Sequence, residues 1–241
     1  MKKIDYQFLN MNKFSLKTLY ALFAIVTATL LAACGKGDNE VPNYGSLSIY
    51  NASPTLSTYD VYLNGSKLNT ANLPYGGGIK YTQLPQGTYE AKFNVAGETA
   101  AVYTKTGISV ANNNFSTLYL TGTAGNFDGL LLADDFSNTS VEKAYVRFVN
   151  LSPDAPALDL HVKDATSNLI SNKKYKEYSG FTEIEAGSKT FEIKENTSGT
   201  VKTTLESTNF VKGYFYTIIA GGKVAAGTNE RLFNGQIIQH R

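Results

Sequence analysis

The stretch that decides the fold is Ile49-Tyr50-Asn51-Ala52-Ser53-Pro54, followed by Tyr59-Asp60-Val61-Tyr62-Leu63, because the chain uses it twice. It returns as Phe148-Val149-Asn150-Leu151-Ser152-Pro153, followed by Leu158-Asp159-Leu160-His161-Val162, with the Asn, the Ser-Pro and the Asp all displaced by 99 positions. Further on, Tyr81-Thr82-Gln83-Leu84-Pro85-Gln86-Gly87 answers to Phe181-Thr182-Glu183-Ile184-Glu185-Ala186-Gly187 at a displacement of 100, and Phe115 to Gly122 answers to Tyr214 to Gly221 at 99. Recurrence at a fixed period signals tandem structural units, and about a hundred residues is a common domain size.

Within each unit the apolar period is two. In Tyr89-Glu90-Ala91-Lys92-Phe93-Asn94-Val95 apolar and polar residues alternate, and Phe191 and Ile193 alternate in the same way with Glu192 and Lys194. A strand that covers a core with one face and meets water with the other reads like this. Gly, Asn and Ser clusters interrupt the chain every eight to twelve residues or so, and no helical period appears after the first 33 residues. The expectation is an all-β chain of two tandem β-sandwich domains, of the Ig-like or transthyretin-like kind, over residues 44–136 and 142–241 with a linker at 137–141.

The Asn-x-Ser-Pro strand end, the Asp opening the next strand and the Leu-x-x-Gly hairpin together resemble the bacterial domain of unknown function 4397 family, in two copies between Tyr44 and Gly235. The second copy, with Ser152-Pro153-Asp154-Ala155-Pro156-Ala157-Leu158-Asp159, is the closer match; the first has Thr55-Leu56-Ser57-Thr58 after its Pro54. The resemblance implies an exported or envelope-attached β-protein and supplies no activity.

The first residues give an address. Lys2, Lys3, Lys13 and Lys17 precede an apolar run from Leu19 to Leu31 that is short for a membrane span, and then Leu31-Ala32-Ala33-Cys34. The last four resemble the bacterial lipobox, which implies cleavage after residue 33 and lipid on Cys34. Each buried methylene contributes roughly 0.8 kcal/mol, so two or three acyl chains hold a soluble body on a membrane for long times. Residues 34–43 read as a polar tether, and Gly35 after the cysteine favours the outer membrane, without deciding between the periplasmic and the outer face. Because Cys34 is the only cysteine, the mature fold has no internal disulfide and no thiol chemistry.

Removal of residues 1–33, which hold four lysines and Asp5, takes the chain from 22 basic and 20 acidic residues to 18 and 19, a net charge near −1. That is no electrostatic footprint for nucleic acid. Lys173, Lys174 and Lys176 read as a solvated loop.

The recurring polar set is Asn51, Ser53, Pro54 and Asp60 with Asn150, Ser152, Pro153 and Asp159. Such residues satisfy backbone amides in turns and preset φ, so a structural role is expected; one carboxylate per set is poor in ligands for calcium. Two histidines, His161 and His240, are too few for the usual zinc site. His161, which stands where Tyr62 stands, reads as a position on a strand face. Asp134-Asp135 offers the paired carboxylates of a glycosidase, but neighbours on a strand face opposite ways, and the pair reads as a solvated junction. Gly76-Gly77-Gly78 precedes a strand and reads as a hairpin loop, not a phosphate cradle. Sixteen tyrosines and no tryptophan suit half-buried strands and offer amphipathic contact surface, with Tyr62 facing outward. No catalytic residue, metal or cofactor is assigned. The expectation is a non-enzymatic binding or scaffolding module of the envelope, with an envelope protein or a glycan as candidate partner; a carboxylate-based glycosidase and a structural spacer are the alternatives.

Overall fold

The computed structural model describes residues 43–137 and 140–240. The expected signal segment, Cys34 and the expected tether up to residue 42 lie outside the described residues, as does the middle of the expected linker. The described residues contain strands and no helix.

The first eight strands are β1 (Tyr44–Asn51), β2 (Tyr59–Leu63), β3 (Ser66–Lys67), β4 (Gly78–Pro85), β5 (Gly87–Val95), β6 (Ala101–Val110), β7 (Phe115–Thr123) and β8 (Asn126–Ala133). They form two sheets, in the orders β4-β1-β7-β8 and β3-β2-β5-β6. The remaining strands are β9 (Lys143–Asn150), β10 (Leu158–Val162), β11 (Asn168–Lys173), β12 (Thr182–Glu185), β13 (Gly187–Lys189), β14 (Phe191–Glu195), β15 (Val201–Thr204), β16 (Thr208–Phe210), β17 (Phe215–Gly221) and β18 (Asn234–Gln239). Their sheets run β12-β9-β17-β18 and β11-β10-β14-β15, with β13-β16 as a short extra ladder. Each half is therefore a sandwich with the same strand order, and each contains one parallel pair, β1 with β7 and β9 with β17.

Three cores separate four sheet layers. Leu47, Ile49, Tyr59, Val61, Phe93, Leu118 and Leu120 fill the first sandwich. Phe148, Leu158, Leu160, Phe191, Ile193 and Ile218 fill the second. A third core joins the two: Tyr50, Ala52, Tyr119 and Leu132 on one side meet Val149, Leu151 and Ile219 on the other. The central strands are for this reason buried on both faces. β9 is buried along nearly all its length and β17 along all of it, whereas β5 alternates with water. Continuous burial produces apolar runs such as Phe215-Tyr216-Thr217-Ile218-Ile219-Ala220, in place of strict alternation. The described residues belong to one compact unit.

The ladders correct one register. Ile49 pairs with Leu118 and Phe148 with Ile218, so β7 and β17 are displaced by 100 positions, not 99. Phe115 then answers to Phe215 and Gly122 to Gly222. The two glycines are conformational equals, with φ +79° and +73°. At each, an added Cβ would come within 2.2 Å of a backbone oxygen, that of Asn126 or of Leu232. Both the left-handed conformation and the close approach require glycine.

Two expected hairpins are crossings between sheets. Gly76-Gly77-Gly78 leads from β3 to β4, and Leu84-Pro85-Gln86-Gly87 leads from β4 to β5; each joins strands of different layers. Asn64-Gly65 closes a true two-residue hairpin between β2 and β3, both residues having positive φ.

Candidate functional site

The recurring polar set builds turns. Asn51 accepts the Ser53 amide at 3.0 Å through Oδ1 and donates from Nδ2 to the Leu73 carbonyl; Ser53 Oγ donates to the Gly122 carbonyl at 2.9 Å. Asn150 accepts the Ser152 amide at 3.1 Å and donates to the Lys173 carbonyl at 3.0 Å. Asn, Ser and the φ-fixing Pro54 and Pro153 thus turn the chain out of β1 and β9 with its amides satisfied. Asp60 pairs with Lys67 at 2.8 Å. Asp159 accepts from Asn168, from the Asn172 amide and from Asn196, all within 2.9 Å, and so ties β10 to its neighbours.

His161 lies in β10, as its strand reading has it, and the reading of Asp134 changes. His161 is 7% exposed, with Nδ1 3.1 Å from Asn168 Oδ1, so it is held inside the layer. Asp134 is 4% exposed rather than solvated. It leaves β8 at the seam between the sandwiches, where Arg147 of β9 reaches it.

Arg147 is the largest fully buried side chain among the described residues. Its Nη2 donates to Asp134 Oδ1 at 2.5 Å and to Tyr119 Oη at 3.1 Å, its Nε to Thr217 Oγ1 at 2.9 Å, and its guanidinium lies 4.8 Å over the Phe181 ring. Asp134 Oδ2 accepts from Thr117 and Tyr81, both at 2.7 Å. Tyr81 Oη also lies 3.0 Å from His240 Nδ1, and His240 Nε2 lies 2.7 Å from Thr217 Oγ1. One proton assignment satisfies these pairs together: Thr217 donates to Nε2, and a neutral imidazole donates from Nδ1 to Tyr81, whose own proton goes to Asp134. Burial, reinforced by the nearby Arg147 and opposed by Asp134, pushes His240 down to about 4. Burial first, and then Asp134, pushes the Tyr81 hydroxyl far up.

The seam has two-fold character by ladder position. Tyr75 approaches Gly221, and its counterpart Tyr175 lies 3.4 Å from Thr121, the counterpart of Gly221. Asp134 donates its amide to Phe115, and His240 donates its amide to Phe215. The acid and the imidazole therefore occupy equivalent places, with Tyr81 bridging them. Reciprocal contacts of this kind mark an isologous interface.

One concavity opens onto this network. It has a volume of about 660 Å³ and lies between the edge strands β4 and β18, lined by Ser48, Tyr50, Gly78, Ile79, Lys80, Tyr81, Tyr214, Ile237, Ile238, Gln239 and His240. Opposite Ser48 the β1–β4 ladder shifts register, so Lys80 and Tyr81 share one partner position. Such a bulge re-aims side chains, and here Tyr81 reaches the seam network. At the positions equivalent to Ser48 and Gly78 stand Arg147 and Tyr178. Ser48 and Gly78 leave the β4–β18 crevice open, whereas Arg147 is buried at its equivalent place and Tyr178 stays half exposed. No Asp or Glu lines it. Among the described residues, no three of His, Cys, Asp and Glu converge as metal ligands.

Sequence reasoning missed this site because its members lie far apart in the chain. The one available signal was the charged Arg147 within the apolar run of β9, at a strand position where Ser48 stands in the first half.

Among known protein families, the model described as Domain of unknown function (DUF4397) matches residues 45–161. The matched span covers the first sandwich and continues through β9 nearly to the end of β10. No curated protein matches the chain.

Proposed function

We propose that this chain is a non-enzymatic binding module of the bacterial envelope, held at the outer membrane by lipid on Cys34, and that its ligand enters the groove between β4 and β18. On this reading the two sandwiches are tandem copies of the matched family unit, joined at residues 137–141. The carrying observation is the unequal filling of two equivalent positions at the seam, Ser48, which leaves a groove open, against the buried Arg147. A pocket of a few hundred Å³ with mixed apolar and polar lining is the usual form of a ligand site. The Asp134–Arg147–His240 network supports binding rather than turnover, since its polar groups are spent on one another. The signal segment, the lipobox and Gly35 support the address. The test is capture of partners by the lipidated protein from its native envelope, beside the same protein carrying Ser48→Gln, a neutral side chain long enough to occupy the groove. Loss of specific capture with an unchanged melting temperature is the expected outcome; equal capture by both proteins refutes the groove.

A further inference from the structure

Resting on that reading, we propose that the groove takes an acidic saccharide, with a carboxylate on Lys80 and a pyranose face on Tyr214. Charge complementarity carries the first half. Lys80 is exposed, makes no ion pair among the described residues, and stands in a groove that no carboxylate lines. The guanidinium beneath is already neutralised by Asp134 at 2.5 Å, and the imidazole beside it is neutral. The open part of the site therefore presents a single positive charge. A cationic ligand meets repulsion there, and a polyanion such as nucleic acid finds too few cations.

The lining chemistry carries the second half. Tyr214 is 38% exposed, and its backbone is fixed by the bond from the Tyr145 amide to its carbonyl at 2.9 Å, so the ring offers an open face from an anchored position. Ile79, Ile237 and Ile238 supply apolar surface, while Gln239 supplies a donor and an acceptor and Ser48, whose own proton goes to the Ile79 carbonyl, supplies an acceptor. Sugars need this mixture, since their C–H faces pack on aromatic rings and their hydroxyl edges seek hydrogen bonds. An extended peptide adding to the sheet is disfavoured at β4. The bulge at Lys80 and Tyr81 interrupts the ladder, and Lys80 and Pro85 are the devices by which edge strands repel a further strand.

The test uses the full lipidated protein in detergent micelles, titrated by calorimetry with short oligomers of galacturonate, glucuronate and mannuronate, and with their methyl esters. At least one acid should bind, with its ester roughly fivefold weaker, as one exposed charge pair allows. Lys80→Gln should weaken the acid by the same roughly fivefold and leave the ester unaffected. Tyr214→Ala should weaken both roughly tenfold. Both residues are exposed, so an unchanged melting temperature separates lost binding from lost fold. Equal binding of acid and ester overturns the charge assignment, and binding insensitive to Tyr214→Ala overturns the aromatic one. If no uronate binds while envelope capture still depends on Ser48, the ligand class is wrong and the groove stands. If capture ignores Ser48 as well, both fall.

Discussion

Asp134→Asn is the sharpest probe of how the two sandwiches are held together. The side chains of Asp134 and Arg147 are 0% and 2% exposed, so the substitution strands a guanidinium where water cannot reach it. Breaking a buried pair by removing one partner costs about 3–5 kcal/mol, whereas an exposed pair such as Lys212 with Glu142 contributes about 0–1 kcal/mol. The same change turns Oδ2, the acceptor for Tyr81 and Thr117, into a neutral amide position that accepts less strongly or donates. Arg147→Met in the same chain should recover much of the loss, because it removes the stranded guanidinium and leaves only neutral groups at the seam. About 1–3 kcal/mol should remain for hydroxyls left without partners. Urea unfolding of residues 43–241, followed by circular dichroism and by tyrosine fluorescence, measures Asp134→Asn, Arg147→Met and the double variant. Because Asp134 follows β8 and Arg147 lies on β9, the single variant should also pull the two probes apart as the halves uncouple. A loss under 1 kcal/mol for Asp134→Asn, or a double variant no better than the sum of the singles, would refute the reasoning.

Other outcomes follow from the same contacts. His240 titrates near 4 when folded against 6.5 when unfolded, so between these values the unfolded chain binds more protons and stability falls as pH drops. The loss is nil above 6.5, grows by about 1.4 kcal/mol per pH unit, and levels off near pH 4 at about 3 kcal/mol; His240→Gln should flatten this part of a melting profile. Gly222→Ala should cost well over 1 kcal/mol, because φ is +73° and the new Cβ meets the Leu232 oxygen, while Gly65→Ala, at φ +83° with nothing within 4 Å, should cost only about 1 kcal/mol; chemical unfolding distinguishes the two. Residues 43–137 and 140–241, made separately, expose Tyr119 and Leu132 on one piece and Val149 and Ile219 on the other. Each should keep its β content yet self-associate in sedimentation, and mixing should restore a one-to-one complex. Cys34→Ser should abolish labelling by radioactive fatty acid and release the body from membranes.

How much of this was legible in the chain depends on the range of the forces involved. Alternation in Tyr89 to Val95 is a local property, fixed by the pleat, and it marks a strand with one wet face. The second occurrence of Asn-x-Ser-Pro is equally local, since an Asn that accepts the amide two residues on needs no distant partner. The closing strands went astray by one position because β7 and β17 are buried on both faces. There the alternation that fixes register from sequence disappears, and only the parallel ladder and the paired glycines Gly122 and Gly222 restore it. The same double burial hid the site. A run such as Tyr145-Val146-Arg147-Phe148-Val149 reads as apolar strand with one charge in it, and no rule of spacing says that Asp134 lies opposite. Burial of Arg147 requires a carboxylate from somewhere, but Glu142 and Asp154 lie nearer to it in the chain than Asp134 does, so the sequence does not name the partner. The structure supplies the acid from the end of the first sandwich, 13 positions upstream, so a cation embedded in a doubly buried strand is a pointer to an interface rather than an exception to a core.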